Sequence, residues 1–556
     1  MGEKIRLEMS DWLYNAGLVG LYNVLKHSGD KVDYAEQYME LDLSLLENFE
    51  EKYFKYFINK YQAYLSYFKI VSYESTIKYH EDKNFETFEE EDLEVLNNYI
   101  KNVVKYYLNS NSYRAAYELI NDEVDILELA KELQIIKIRK KESIKDKDSE
   151  IKNMFQQLKV IISYCNKDNY RKYLAGKNVI YTIIKHSWDG VCFLNPQTKE
   201  KDIYLDYKNY FIEPVKEYID KKATNEKFNC FTCGRNIKDL KNDLSFLNNI
   251  GFDVSRKSSH TWNFSNDIAV CPICKLVLSC TPAGITYVYD KGIYINDNNS
   301  FQEAVNINNK VKSEILQEHK ADKLLTYRAL VNSIQDQFQD KVKYELADIQ
   351  VVRYEEGQYR FNILSKKALC IIRQSQNDLN NIIHSGFKEI NTYFNIYELV
   401  INRILNNHNL FTLIQKLLVY KLSNPKDCRF NTSQLVSILN INFRCLEGMD
   451  YMKNTDKDII KNANISGYYL REQYKEKGAQ DKLNGISYRL LNALKTNNKD
   501  MFMDTLLNCY LYSQKTVPSI FLEALKDDEK YKTIGYAFVT GLIEGKESTK
   551  KNGGDE

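Results

Sequence analysis

The sequence NCFTCGRN at residues 229–236 and the sequence VCPICKL at residues 270–276 each contain two cysteines separated by two residues. This spacing lets both thiolates of a pair face one metal ion at about 2.3 Å. Backbone amides after each pair can donate hydrogen bonds to sulfur, and Gly234 permits the positive-φ turn that such a knuckle needs. The sequence therefore predicts a zinc-ribbon-like module in which one structural Zn²⁺ ion is held by Cys230, Cys233, Cys271 and Cys274.

Other roles for these cysteines are less favoured. Four sulfur ligands close the coordination sphere and leave no position for a water molecule, which disfavours a catalytic zinc ion. Redox CxxC motifs usually open a helix after a strand and do not come in matched sets. Two further candidate ligands lie nearby, and we predict a buried thiol for Cys280 and a surface position for His260.

Between the two pairs, residues 255–267 have the sequence SRKSSHTWNFSND. Cations and hydroxyls can pair with phosphates, an indole can stack on a base, and an amide can contact a base edge. The loop therefore contains candidate nucleic-acid-binding residues, namely Arg256, Lys257, Ser258, Trp262 and Asn263. The alternative is a packed loop with Trp262 and Phe264 in the core, and the sequence leaves both open.

Composition limits the class of protein. The chain has 556 residues, 44% of them hydrophobic, and only six prolines, which indicates several globular domains rich in helices. The net charge of +1 argues against a general DNA-coating protein. Residues 1–100 hold 20 acidic and 10 basic side chains, whereas residues 131–260 hold 26 basic and 17 acidic ones. Phosphate contacts are therefore expected in the middle of the chain.

The remaining motifs favour a cytoplasmic protein that is not an enzyme. No segment has the roughly 20 apolar residues of a membrane span, the start lacks a signal peptide, and an odd count of 11 cysteines favours reduced thiols and metal ligands. GxSxG and HExxH motifs are absent, and the sequence 541–547, GLIEGKE, is one residue short of a phosphate-binding loop. The alternative is a zinc-ribbon nuclease or RNA-modifying enzyme with an acidic site that carries no recognisable motif.

Hydrophobic periodicity predicts an α+β, predominantly helical fold. Short strands are expected within 179–195 and 202–207, and hairpins at 285–295 and 349–364. After about Asn380 the pattern is that of an all-α bundle, with Asn431 and Asn498 as helix caps. We expect four domains: an N-terminal α+β domain at 1–225, the zinc module at 226–300, a connecting region at 301–380 and a C-terminal helical bundle at 381–556.

The order of these motifs resembles a known family. Trp12-Leu-Tyr-Asn15-Ala-Gly17-Leu-Val-Gly20-Leu comes first, then the two CxxC pairs, with Trp262-Asn-Phe-Ser-Asn266-Asp267 leading into the second pair. This combination is similar to the CXXC–CXXC large subunit of type I-B CRISPR effector complexes (Cascade), and the similarity runs nearly end to end.

The resemblance implies a non-catalytic subunit of an RNA-guided antiviral complex. Such a subunit contacts the 5′ region of the guide RNA and the protospacer-adjacent motif of target double-stranded DNA, and it helps to open the duplex. Its partners are the backbone, 5′-cap and small subunits and a helicase–nuclease recruited in trans, and no membrane is involved. The C-terminal helical part resembles the small subunit.

Asn15 is a further candidate for a nucleic-acid contact. It stands beside Tyr14 and close to Gly17, where small residues allow a close approach of another backbone. By chemistry, we expect Asn15, Lys257 and Asn263 to read the motif. A helix-packing motif is the alternative explanation for the residues around Asn15.

Overall fold

The structure, a computed structural model, describes residues 4–120, 124–139, 142–220, 227–250, 261–262, 265–266, 268–288, 290–317, 349–355, 357–364, 366–449, 451–452, 456 and 458–543. The chain divides into two compact units. Unit 1 comprises Met1–Ala321 and Val351–Phe361, and unit 2 comprises Asp322–Gln350 and Asn362–Glu556. The finer division into four domains stays a prediction.

Unit 1 is built mainly of helices, which begin with the buried helix α1 (Trp12–His27). The other helices in chain order are α2 (Phe49–Lys60), α3 (Ser66–Val71), α4 (Glu74–Asp82), α5 (Glu90–Tyr99), α6 (Lys105–Leu108), α7 (Asn111–Tyr117), α8 (Ile126–Glu132), α9 (Asp148–Asn166), α10 (Asp168–Thr182), α11 (Ile203–Tyr207), α12 (Glu213–Asp220), α13 (Pro272–Ser279), α14 (Thr281–Gly284) and α15 (Phe301–Gln317).

The described strands of unit 1 form two small antiparallel pairs, one three-stranded sheet and one four-stranded sheet. The N-terminal sheet has the order β1-β3-β2, and the larger sheet has the order β11-β10-β9-β8. The strands in chain order are β1 (Lys4–Glu8), β2 (Asp33–Tyr34), β3 (Tyr38–Asp42), β4 (Phe228–Asn229), β5 (Asn236–Ile237), β6 (Thr261–Trp262), β7 (Ser265–Asn266), β8 (Thr286–Val288), β9 (Lys291–Asn296), β10 (Ile349–Glu355) and β11 (Gln358–Leu364).

Two glycines bring α1 into backbone contact with the chain that follows the second cysteine pair. A Cβ atom added to Gly20 would lie 2.0 Å from the carbonyl oxygen of Cys280, and one added to Gly284 would lie 1.9 Å from that of Ala16. No larger residue fits at either position, because carbonyl groups and not flexible side chains occupy the space. The small residues of the Trp12–Leu21 motif thus have a packing role: they seat α1 on α13 and α14.

The core of unit 1 surrounds the end of α13. The carbonyl oxygen of Ser279 accepts hydrogen bonds from the Tyr53 hydroxyl at 2.8 Å and from Trp188 Nε1 at 3.1 Å. The Ser279 hydroxyl lies 2.7 Å from that of Tyr207. All four side chains are buried. Several tyrosines of this chain therefore belong to the core and satisfy their hydroxyls on backbone and side-chain oxygens.

Unit 2 is helical, as predicted for the C-terminal region, with one small sheet added. Its helices are α16 (Lys366–Gln374), α17 (Gln376–Ile382), α18 (Ile396–Leu405), α19 (Phe411–Ser423), α20 (Thr432–Gly448), α21 (Ile459–Glu476), α22 (Lys482–Lys495), α23 (Lys499–Ser513), α24 (Ile520–Ala524) and α25 (Asp528–Ile543). The sheet has the order β13-β12-β14 and consists of β12 (Gly386–Glu389), β13 (Thr392–Asn395) and β14 (Cys428–Arg429). Asn431 and Asn498 cap α20 and α23 through their side-chain oxygens, which confirms both predicted caps.

Helix α25 packs tightly against α21 because glycines allow the two backbones to touch, as in the contact of α1 with α14. A Cβ atom on Gly467 would lie 2.0 Å from the carbonyl oxygen of Phe538, and one on Gly541 would lie 2.0 Å from that of Asn464. Gly541 thus serves helix packing. This explains a glycine that, from the sequence alone, suggested an incomplete phosphate-binding loop.

The strands predicted within 179–195 and 202–207 are wrong. Helix α10 continues to Thr182, α11 occupies Ile203–Tyr207, and 3-10 turns occur at Ile184–His186 and Cys192–Leu194. The apolar residues that suggested strands, such as Val179 and Ile183, are buried on the inner face of a helix and its cap. Packing has overridden the β preference of these branched side chains.

Both predicted hairpins are confirmed. In the first, β8 pairs with β9 in the register Thr286 to Ile293 and Val288 to Lys291. In the second, β10 and β11 flank Gly357, whose φ of +74° suits a glycine at the turn. Among the helices in the described ranges, none combines the length and the apolar character needed to cross a membrane.

Candidate metal centre

The first cysteine pair lies in a small hairpin. Strands β4 and β5 pair antiparallel on either side of it, and the turn is closed by hydrogen bonds from Cys230 N to Arg235 O at 2.7 Å and from Gly234 N to Cys230 O at 2.9 Å. Gly234 has a φ of +71°, the conformation that its position after the second cysteine predicted. The hairpin therefore directs the thiols of Cys230 and Cys233 to one side.

The second pair lies at the start of a helix. Cys271 is the N-cap of α13, Pro272 is its first residue, and Cys271 Sγ accepts a hydrogen bond from Cys274 N at 3.4 Å. Proline suits this position because the first helical N–H has no partner within the helix. The positive end of the helix dipole faces the sulfur atoms, which favours their ionised form.

The two pairs come together because Phe231 N donates to Ala269 O at 2.9 Å, which links the hairpin to the segment before α13. The Sγ atoms of all four cysteines lie within 4.8 Å of one another, and those of Cys233 and Cys271 are 3.6 Å apart. Tetrahedral ligation with Zn–S bonds of about 2.3 Å requires sulfur atoms about 3.8 Å apart. Among these four cysteines, Cys233 is partly exposed and the other three are buried. The donor set and its spacing fit one closed, buried metal ion.

The crowded thiols affect one another's ionisation. Contact with Cys230, followed by the other two thiols, lowers the pKa of Cys233 far below its ordinary value. Hydrogen bonding to Cys230 contributes most to raising the pKa of Cys271 well above its ordinary value. The four groups cannot all be thiolates without a cation between them. A divalent metal supplies that charge and displaces protons, so metal affinity falls as the pH falls.

Two residues that sequence reasoning missed form a second layer around the sulfur atoms. The Tyr14 hydroxyl lies 3.7 Å from Cys274 Sγ, and Tyr14 is buried on α1. The Arg235 guanidinium lies beside Cys233, and its Nη2 donates to the carbonyl oxygen of Arg6 in β1 at 2.7 Å. Both place a hydrogen-bond donor beside a metal-ligating thiolate. The signal in the sequence was their position: Tyr14 lies within the Trp12–Leu21 motif, and Arg235 lies just after the first cysteine pair.

Replacing Tyr14 with phenylalanine should speed the release of the metal. With the metal bound, Cys274 has lost its proton and the Tyr14 hydroxyl is the donor, so its removal weakens the ligand shell. Loss of such a partner typically costs about 10- to 100-fold in metal affinity. Metal transfer to excess EDTA, followed with a chromogenic chelator, measures the rate. Tyr106→Phe, at a residue that is 67% exposed, is the matched control. Equal release rates for the two variants would contradict the prediction.

Asn15 lies inside unit 1. It is 1% exposed, and its amide nitrogen donates to Ser10 O and to the side-chain oxygens of Asn296 and Asn298 at 2.8–3.1 Å. Its side-chain oxygen accepts from Ser10 N at 2.7 Å. Both ends of the amide are therefore engaged within the protein, which is the arrangement of a packing residue. This burial favours the helix-packing alternative for Asn15.

The predicted nucleic-acid loop falls largely outside the described residues. Arg256, Lys257, Ser258, His260 and Asn263 all lie outside the described ranges. Within this loop the backbone of residues 261–262 and 265–266 is described. Trp262 lies in β6, which pairs with β7 in the register Thr261 to Asn266 and Trp262 to Ser265. Cys280 is fully buried, as predicted, and stands outside the four-thiol cluster.

Comparison with known proteins agrees with this geometry. Residues 223–286 match the model of a family described as CRISPR-associated protein (Cas_CXXC_CXXC). The matched segment contains both cysteine pairs, the hairpin of the first and helix α13 of the second. The match supports a role in CRISPR systems within a CXXC–CXXC family. No curated protein and no solved structure matches the chain.

Proposed function

We propose that this protein is the non-catalytic large subunit of a type I-B CRISPR RNA-guided surveillance complex. In that complex it contacts the 5′ region of the guide RNA and the protospacer-adjacent motif of the target duplex. It aids duplex opening and the recruitment of a helicase–nuclease. The observation that carries the proposal is the family match over 223–286, which coincides with four thiols grouped as a metal site.

The closed metal centre gives the cationic loop a rigid base. Cys233 and Cys271 stand at the two ends of the segment 234–270, so a metal ion bound to both would tie these ends together. A structural Zn²⁺ ion does this without opening a coordination position for catalysis. The segment between these ends contains Arg256, Lys257, Ser258, Trp262 and Asn263, whose cations and indole are suited by chemistry to contact nucleic acid.

The proposed division of labour is physical. Base pairing between guide RNA and target strand reads a long sequence, while protein side chains read only a short duplex motif. The net charge of +1 suits a subunit that relies on its partners for most of its affinity. As the family resemblance implies, the proposed partners are the guide RNA, the target DNA and the backbone, 5′-cap and small subunits, with the helicase–nuclease acting in trans.

Replacing Lys257 with alanine tests the loop. The variant, assembled with guide RNA and the other subunits, should bind target duplex more weakly. Its slope of log affinity against log salt should become shallower by about 1, because one phosphate contact is lost. Electrophoretic mobility shifts over a series of salt concentrations measure both quantities. Lys495→Ala, at an exposed lysine of α22, is the matched control and should change neither.

Two other outcomes separate the alternatives. Unchanged binding of the Lys257→Ala complex across the salt series would remove the loop from the interface. Cleavage of labelled DNA or RNA by the purified chain with Mg²⁺ or Mn²⁺ would favour the zinc-ribbon nuclease over a non-catalytic subunit. That cleavage would have to persist in a preparation free of the helicase–nuclease.

A further inference from the structure

A cavity of about 250 Å³ opens beside the first cysteine pair. Its walls come from five parts of unit 1: the start of α1, the knuckle residues Phe231 and Thr232, the segment 244–250, Leu278 of α13, and strand β11. The metal centre positions one wall, because Phe231 and Thr232 lie between Cys230 and Cys233. The cavity belongs to none of the contacts proposed above.

Aromatic rings form much of the wall. Trp12 lies with its ring centroid 5.0 Å from that of Tyr359 and 5.3 Å from that of Phe361, at angles of 60° and 68°. Phe361 keeps 47% of its surface exposed although it lines a cavity. The Trp12 ring packs against both of these rings, so the three form one continuous aromatic wall. Without a guest, this apolar surface remains in contact with solvent.

Three polar side chains, Asp11, Thr232 and Asn249, line the cavity. Asp11 Oδ1 accepts from Leu13 N and Tyr14 N, but Oδ2 forms no hydrogen bond with any described residue. Asp11 and Asn249 are exposed and Thr232 is partly exposed, so their polar atoms are accessible to a guest. Mostly apolar walls with a few polar groups are the usual composition of a ligand site. The polar groups specify an orientation, and the rings supply contact area.

The cavity is smaller than the roughly 300–1,000 Å³ of ordinary ligand pockets, so it suits a single flat ring system. A carboxylate oxygen accepts hydrogen bonds, so the guest must present N–H donors on its edge. A nucleobase with such an edge meets both conditions, and guanine offers two neighbouring N–H groups. We propose that this cavity receives one unpaired nucleobase, stacked against the Trp12–Phe361 wall and read by Asp11. The proposal rests on the nucleic-acid role proposed above.

Short single strands test this site on the full-length, metal-loaded protein. The probes are fluorescein-labelled pentanucleotides UUGUU and UUUUU, and a third strand with an abasic centre, in ribose and deoxyribose forms, followed by anisotropy. We expect UUGUU to bind at least about tenfold more tightly than the abasic strand, since a stacking ring contributes on this scale. The ribose and deoxyribose arms tell whether the base comes from RNA or DNA.

Two variants assign the preference to the cavity. Phe361→Ser should bring the affinities of UUGUU and the abasic strand together, whereas Ile363→Ser should not. Ile363 is 60% exposed on the same face of β11 and does not line the cavity. Asp11→Asn keeps an oxygen for the helix cap but removes the charge, so it should reduce the preference for UUGUU over UUUUU. It should leave the thermal midpoint nearly unchanged.

Equal binding of base-containing and abasic strands by the wild-type protein would overturn the inference. So would equal effects of Phe361→Ser and Ile363→Ser. If Phe361→Ser fails to fold, the wild-type strands and Asp11→Asn still decide. If the wild-type protein shows no base preference while the assembled complex still binds target duplex, only the proposal for the cavity is rejected. Failure of duplex binding in the complex, with the base preference intact, rejects the proposed function instead.

Discussion

Replacing Cys274 with serine should release the metal and lower the free energy of unfolding of unit 1 by several kcal/mol. Structural Zn²⁺ contributes about 10–16 kcal/mol in zinc-finger peptides at neutral pH, comparable to the entire net stability of a typical domain. Cys274 is fully buried in the first turn of α13, so its loss affects the helix on which α1 is seated. Metal content by elemental analysis and thermal unfolding measure the two effects.

Cys280→Ala is the matched control for this prediction. Cys280 is equally buried and ends the same helix, but its thiol is outside the four-thiol cluster. The variant should keep one metal ion per chain and lose only the small packing contribution of one sulfur atom. A Cys274→Ser protein that retains a full complement of metal, or one that is metal-free with an unchanged thermal midpoint, would contradict the structural role of the site.

The second large effect is expected at Gly284. An alanine Cβ there would lie 1.9 Å from the carbonyl oxygen of Ala16, so the backbone of α1 or α14 would have to move. Overpacking a well-packed core usually costs about 1–3 kcal/mol, and a clash between two backbones should lie at or above that upper end. Gly20→Ala should behave similarly, because its Cβ would meet the carbonyl oxygen of Cys280 at 2.0 Å. Urea unfolding gives both free energies.

Gly485→Ala provides the comparison for these glycines. Gly485 lies within α22, and no atom is within 4 Å of the Cβ position. Alanine has the higher helix propensity, so this variant should be more stable by about 0.5–1 kcal/mol. Neutral surface substitutions change the free energy of unfolding by up to about 0.5 kcal/mol. If the free energies of unfolding of Gly20→Ala and Gly284→Ala lie within that range of the wild-type value, the close helix approach does not constrain the fold.

Local spacing determined much of what could be predicted. Two cysteines separated by two intervening residues can face one ion whatever surrounds them, so the four sulfur atoms were identified correctly as a group. Hairpin turns and helix caps also depend on neighbours a few residues away, and the hairpin at 349–364 and the caps Asn431 and Asn498 are found where they were predicted. The helical character of the C-terminal region follows from periodicity in the same way.

Contacts between distant segments decided the rest. The β-branched residues near Val179 are helical because a buried face was available to them, and β14 pairs with β12 from a distant part of the chain, with Arg429 opposite Gly386. Tyr14 meets Cys274 across 260 positions, and Asn15 is buried against Asn296 across 281. Periodicity reports only the chemistry of neighbours along the chain. The environment of these side chains depends on which distant backbone comes within a few ångströms, and only the folded chain determines that.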